Sequence, residues 1–192
     1  MTSPGDDLAL LRERLAAAVP DADRRDDALA LRCCQLALEA LEDGCYGIGA
    51  VLVDAGGEVL AEGRNRVFSG GFHSGAHAEM LTLDRLETEH PEFAGRREAR
   101  LVVSLEPCAM CLGRLLLSGI GELRFVAEDP DGGMVHRVSR LSPVWRNLAS
   151  LQRQLPADVS WPLRELASRL ASARIERLRS RWCEAVGLPP PR

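Results

Sequence analysis

Pro107-Cys108-Ala109-Met110-Cys111 is the stretch on which the reading of this chain turns. Ahead of it lies Leu101–Leu105, an apolar run of strand length. Behind it, Cys108 to Ser118 reads as a helix ended by Gly119 and Gly121. A strand therefore hands over to a helix at the two cysteines. Standing three apart, Cys108 and Cys111 share one face of a helical turn. Pro107 suits the first helical position, where its missing N–H costs nothing. Thiols at a helix N-terminus meet the positive end of the dipole, which favours thiolate. A second stretch, His77-Ala78-Glu79, also opens a helix, because Ala78, Leu81, Leu83 and Leu86 follow at apolar positions. Residues two apart in mid-helix point to nearly opposite sides. His77 and Glu79 can serve one site only from a first turn.

His77, Cys108 and Cys111 offer three corners of a zinc tetrahedron and leave the fourth for water, the pattern of a catalytic site. Zinc lowers the pKa of its water from about 15.7 towards roughly 7. Glu79 stands close enough to manage that water's protons. A lone C-x-x-C is also compatible with a redox motif or half of a structural zinc site. Cys33, Cys34, Cys45 and Cys183 are further thiols, but none stands at ligand spacing near a histidine. A lone His77 reads as a packed core histidine. Glu at +2 and Pro-Cys-x-x-Cys about 30 residues on point instead to H-x-E…P-C-x-x-C, the signature of zinc-dependent nucleobase deaminases.

Gly49-Ala50-Val51-Leu52-Val53, Gly63-Arg64-Asn65-Arg66, His77-Ala78-Glu79 and Ser104-Leu105-Glu106-Pro107-Cys108-Ala109-Met110-Cys111 follow one another in that order. Together they resemble the cytidine-deaminase-like superfamily, on the branch of guanine deaminases, fungal cytosine deaminase and tRNA adenosine deaminases. The resemblance covers residues 26–136 well and the C-terminal third weakly. It implies a three-layer α/β/α sandwich, a mixed sheet of about five strands, one Zn2+ per chain and a homodimer. It makes Glu79 the catalytic acid/base, which takes the water's proton, protonates the ring nitrogen and, in a second transfer, protonates the leaving amine. A carboxylate that shuttles twice must stay off the metal.

Three residues are substrate-binding candidates. Asn65 matches the family's substrate-binding asparagine, and an amide can both donate and accept; the alternative is a strand-end turn residue. Ala78 offers its backbone N–H to a ring carbonyl or nitrogen. His73 lies in the loop before the metal histidine, where a solvent-facing position is the alternative. Two segments depart from the family: Gly47-Ile48 replaces Pro-Phe, and His73-Ser74-Gly75-Ala76 replaces a loop with Asp-Pro-Thr. Glu106 is expected to cap the cysteine helix, with a catalytic role as the weaker alternative.

The chain has 192 residues, enough for one domain with a full core. No run of about 18 apolar residues appears, so no membrane span is expected. Met1 to Asp7 carries acids and no basic residue, unlike a signal peptide. A cytoplasmic, reducing location is expected, where six cysteines need no disulfides. Cys33-Cys34 reads as buried packing. All 24 basic residues are arginine. Residues 1–136 hold 13 Arg against 24 acids, a net of −11, and residues 137–192 hold 11 Arg against 4, a net of +7. Such a basic tail can bind nucleic acid or dock on the acidic body.

In order, Asp6–Val19 and Asp23–Asp43 read as helices, Tyr46–Asp54 and Glu58–Val67 as strands joined at Gly56-Gly57, and Ala76–Glu89 as the first metal helix. Leu123–Ala127 is a further strand. Val144–Leu155 is expected to hold a short helix and Ala157–Trp161 a last strand. Pro162–Val186 is a long helical stretch whose apolar stripe shifts from Leu163, Leu166 and Leu170 to Ile175, Leu178 and Trp182, implying a break near Ser172. Leu188–Arg192 reads as disordered. The organisation expected is an N-terminal helical extension (1–22), a zinc deaminase core (23–136) and a C-terminal part (137–192) completing the same domain. The function expected is hydrolytic deamination of a small nucleobase or nucleoside, a purine such as guanine. The alternatives are tRNA adenosine deamination and, from another class, a non-catalytic zinc module. The acidic body makes nucleic acid the weaker partner.

Overall fold

Residues 4–189 are described in the computed structural model. Most of the expectation for Leu188–Arg192 therefore lies outside the described residues. One sheet organises the chain, in the order β2-β1-β3-β4-β5. Its strands are β1 (Gly49–Val53), β2 (Val59–Arg64), β3 (Arg100–Leu105), β4 (Glu122–Ala127) and β5 (Arg153–Pro156). β1 pairs antiparallel with both β2 and β3, whereas β3–β4 and β4–β5 are parallel. The α-helices are α1 (Pro4–Ala17), α2 (Asp27–Glu42), α3 (Ala78–Glu89), α4 (Ala109–Ser118), α5 (Pro143–Ala149), α6 (Trp161–Ser172) and α7 (Ile175–Val186).

Alternation along the central strands sends neighbouring residues to opposite faces. Val51, Val53, Val102 and Val126 face a core built with α1, α2 and α6. Ala50, Leu52, Leu101, Val103, Leu123 and Phe125 face a second core with Leu83 and Leu86 of α3 and Leu112 and Leu115 of α4. β1, β4 and the middle of β3 are buried on both faces; β1 and β3 accordingly read as apolar runs, whereas β4 buries Glu122 and Arg124 as an ion pair. This is the α/β/α sandwich with a mixed five-stranded sheet expected from the motifs. Cys33 and Cys34 are fully buried in the first core, and burial pushes the Cys34 thiol up to about 12.

Asp26 and Asp27 tie the start of α2 to the chain entering α6. The Asp158 N–H donates to Asp26 Oδ2 at 2.9 Å, and the Ser160 N–H donates to Asp27 Oδ1 at 2.6 Å. These carboxylates account for two departures from expectation. Helix α2 starts at Asp27 rather than Asp23, and residues 157–161 form no strand. The last strand lies earlier, at Arg153–Pro156, paired with Glu122–Phe125. Pro156 is tolerated there because β5 is an edge strand. The short helix expected in 144–155 stops at Ala149, because the chain beyond it turns into β5. The long C-terminal helix does break as its stripe predicts. Ala173 is extended and Arg174 takes φ +58, so α6 and α7 turn against one another.

Candidate active site

Both metal stretches sit at helix starts. His77 is the N-cap of α3 with extended backbone (φ −76, ψ 156), which makes Ala78 and Glu79 the first two helical residues. Cys108 is the N-cap of α4 (φ −71, ψ 174). Pro107 therefore precedes the cap instead of occupying the first helical position. Its fixed φ and missing N–H fit this extended approach equally well. Gly63 brings the two sides together, because a Cβ there would strike Ala78 O and Thr82 Oγ1. Helix α3 can thus lie directly on β2, with His77 close to the strand's end at Asn65.

The donor atoms of His77, Cys108 and Cys111 lie within 4.8 Å of one another. Cys111 Sγ and Cys108 Sγ stand 3.6 and 3.8 Å from His77 Nδ1. A tetrahedral ion with Zn–S of about 2.3 Å and Zn–N of about 2.0–2.1 Å separates N and S by about 3.6 Å. The donor set therefore fits zinc in both chemistry and spacing. The thiols are already polarised. Its hydrogen bond with Cys111 pulls Cys108 down to about 4, and the same bond drives Cys111 far up.

A cavity of about 510 Å³ opens beside these ligands, within the range of small-molecule sites. Glu79 lines it and is 4 % exposed; burial pushes its carboxyl up. Asn65 lines it too. Its Oδ1 accepts the Val67 N–H at 3.1 Å, while Nδ2 is buried without a hydrogen-bond partner. Asn65 makes the strand-end turn, and as a residue of the cavity wall it keeps a spare donor in Nδ2. Ala78 is buried and does not line the cavity, though its N–H belongs to the first helical turn, which α3 cannot satisfy internally. His73 is not in the cavity wall. It is exposed on a separate depression with Arg66, Ser69 and Asp84, and Phe72 and Ser74 represent that loop at the site instead. The loop alternates direction from residue to residue, so one position decides which side faces in.

Glu106 does not cap α4. Burial pushes its carboxyl up, but hydrogen bonds from the His136 N–H (2.9 Å), the His136 ring (2.8 Å) and the Asp129 N–H (3.2 Å) overcome that and hold it low. These bonds fasten the segment after β4 across the cysteine helix, where the Met134 N–H reaches Pro107 O. Gly133 is required there, since a Cβ would meet the Glu106 carboxyl at 2.5 Å. The far wall comes from α7, through Ile175, Arg179, Trp182 and Cys183. Sequence reasoning missed this wall. Its signal was the i, i+4, i+7, i+8 spacing, masked because two of the four side chains are not plainly apolar.

Residues 23–127 match the family model for the cytidine and deoxycytidylate deaminase zinc-binding region. The tRNA-specific adenosine deaminase of Bacillus subtilis (strain 168) is 44% identical over 98 residues, 50% of this chain and 58% of the relative. The chain thus spans less than two thirds of that relative's length. The tRNA-specific adenosine deaminase of Aquifex aeolicus (strain VF5) is 34% identical over 151 residues, 75% of this chain and 89% of the relative. The solved structure of guanine deaminase from Nitrosomonas europaea is 21% identical with a TM-score of 0.59, covering 84% of this chain and 90% of that one, a likeness of fold.

Proposed function

The chain belongs to the cytidine and deoxycytidylate deaminase family, and from that premise we propose that it hydrolytically removes the exocyclic amine of a purine presented as a free base or nucleoside, releasing ammonia. The observation that carries the small-substrate reading is the inward face of α7, which walls the cavity holding His77 and Glu79. The basic tail supports it as well. Arg164, Arg174 and Arg181 donate to carbonyl oxygens of Val126, Leu41 and Gly44. Those arginines hold the tail on the body and are not arrayed along a phosphate track.

His77, Cys108 and Cys111 would hold the zinc, whose Lewis acidity brings a bound water towards a pKa of roughly 7. Glu79 would take one proton of the attacking water to the ring nitrogen beside the amine, and then carry the second, from the hydroxyl formed on the attacked carbon, to the amine, so that the C–N bond breaks, ammonia leaves and the carbonyl forms. Burial raises the Glu79 carboxyl, the direction that suits a group which must accept and return protons. Asn65 Nδ2 holds an acceptor on the ring. A non-catalytic zinc module has no use for a buried carboxylate beside its ligands, and Glu79 weighs against that reading.

The second reading is deamination of adenosine in tRNA. It rests on the curated relatives from Bacillus subtilis and Aquifex aeolicus, whose names favour it over the small-substrate reading. The test is ammonia release from guanine, adenine, cytosine and their nucleosides, beside inosine formation in an arginine-tRNA anticodon stem-loop. Turnover of a free purine supports the first reading. Turnover of the stem-loop alone establishes the second. The working form we infer is a cytoplasmic homodimer, supported by the exposed Leu117, Val144 and Leu151 and the six free cysteines. Sedimentation as a monomer near 20.9 kDa at micromolar concentration contradicts the dimer.

A further inference from the structure

Ile175, Arg179, Trp182 and Cys183 follow one another at i, i+4, i+7 and i+8, a single helical face, and all four line the cavity beside His77. Arg179 is the one arginine in that wall, where Glu79, Glu106 and Asp129 supply carboxylates. Among the described residues its nearest carboxylate is Glu176 Oε1, at 3.8 Å, beyond hydrogen-bonding range. Its neighbours Arg174 and Arg181 are instead tied to backbone carbonyls. Arg179 stands at the solvent-exposed rim of the cavity, its side chain 54% exposed and its donors in no hydrogen bond to another described residue. Tyr46, Phe72 and Trp182 line the same space, although the whole chain has only eight Phe, Trp and Tyr residues. That concentration suits a flat ring.

We propose that Arg179 is a specificity-determining residue that selects an oxo-purine, guanine over its amino-substituted counterpart, by donating to the ring carbonyl and adjacent nitrogen at the edge remote from the departing amine. This rests on the small-substrate reading above. A guanidinium has five donors and no acceptor, and its fork matches the O6/N7 pair of guanine. Asn65, whose Oδ1 is held by the Val67 N–H, presents a donor as well. An amino group at that edge sets donor against donor, and a guanidinium cannot invert to relieve it. A phosphate is the poorer partner, because the three carboxylates of the cavity oppose a dianion. Trp182, from the next turn of α7, covers the ring.

The test is calorimetric binding of guanine and of 2,6-diaminopurine to the zinc-loaded Glu79→Gln protein, with and without Arg179→Met. The two ligands share the 2-amino group and N7 and differ at the C6 substituent assigned to Arg179 and in the hydrogen on N1, so the Arg179-dependent part of the preference is the quantity read. With Arg179 present, guanine binds more tightly. Arg179→Met weakens guanine by about 10- to 100-fold, the range for a charge-assisted hydrogen bond, and narrows the preference to what Asn65 alone supplies. Retained 2,6-diaminopurine binding in the same variant verifies that the cavity is intact, and Arg179→Lys restores only part of the preference because it lacks the fork. An unchanged guanine-to-diaminopurine ratio in Arg179→Met overturns the assignment and leaves the small-substrate reading standing. Failure of both bases to bind when Arg179 is present, with turnover of the stem-loop, overturns that reading and this inference with it.

Discussion

The Arg181 guanidinium lies 4.5 Å over the Phe68 ring. It also donates to Gly44 O at 3.0 Å, so this one side chain pins α7 to the loops after α2 and β2. Cation–π contacts of this kind contribute about 0.5–1 kcal/mol at partly exposed sites. Arg181→Ala should therefore cost about 1 kcal/mol of stability. Because α7 is a wall of the cavity, the same variant should raise KM by about 2- to 10-fold with a smaller effect on kcat. Steady-state kinetics check this, and an unchanged KM removes α7 from substrate binding.

Cys108→Ser and Cys111→Ser should each lower zinc content well below one per chain, since a hydroxyl is a far poorer zinc ligand than a thiolate. Elemental analysis of the purified variants measures it. Full occupancy in either variant removes that residue from the ligand set. Cys34→Ser, on the opposite side of the sheet from α4, should keep its zinc.

Asp27 is fully buried and accepts both the Ser160 N–H and the Asp21 N–H. Asp27→Ala strands two backbone donors and should cost about 2–4 kcal/mol. Asp27→Asn, which keeps one acceptor, should cost less. Urea unfolding orders the two variants, and equal losses argue against the hydrogen-bonding role.

Arg32 and Glu62 form a bidentate pair at 2.8 and 2.7 Å, and its hydrogen bonds hold the Glu62 carboxyl below the usual range. A carboxyl depressed on folding adds stability that is full above its unfolded pKa, about 4.3, and fades as pH falls through the lower folded value. The pair is partly exposed, so its worth at pH 7 is about 0.5–1 kcal/mol. Arg32→Met should lose that amount at pH 7 and little at pH 3. A loss that does not shrink in acid assigns Arg32's contribution to packing.

Much of the fold was legible because β1 and β3 are apolar on both faces and the metal residues mark helix starts. The His77–Glu79 spacing even required a first turn, which is where α3 begins. What stayed hidden depends on contacts distant in sequence. Glu106 reads as a helix cap until the 129–136 segment folds over it. Residues 157–161 read as a strand until Asp26 and Asp27 claim their N–H groups. His73 and Phe72 are adjacent, and only the loop's path decides which faces the cavity. The C-terminal arginines fall around the axes of α6 and α7, so their shared task of docking the tail shows only once their carbonyl partners are in place.

The most direct measurement of the central claim is ammonia release by the zinc-loaded protein and by Glu79→Gln, across the free purines, their nucleosides and the anticodon stem-loop. Loss of a single proton shuttle typically costs about 10²–10⁴ in rate, and one used at successive steps costs at least that. The expected result is turnover of at least one substrate by the parent protein. Glu79→Gln should fold, retain its zinc and fall by about 10³-fold or more on that same substrate. Near-parental ammonia release by Glu79→Gln contradicts the account.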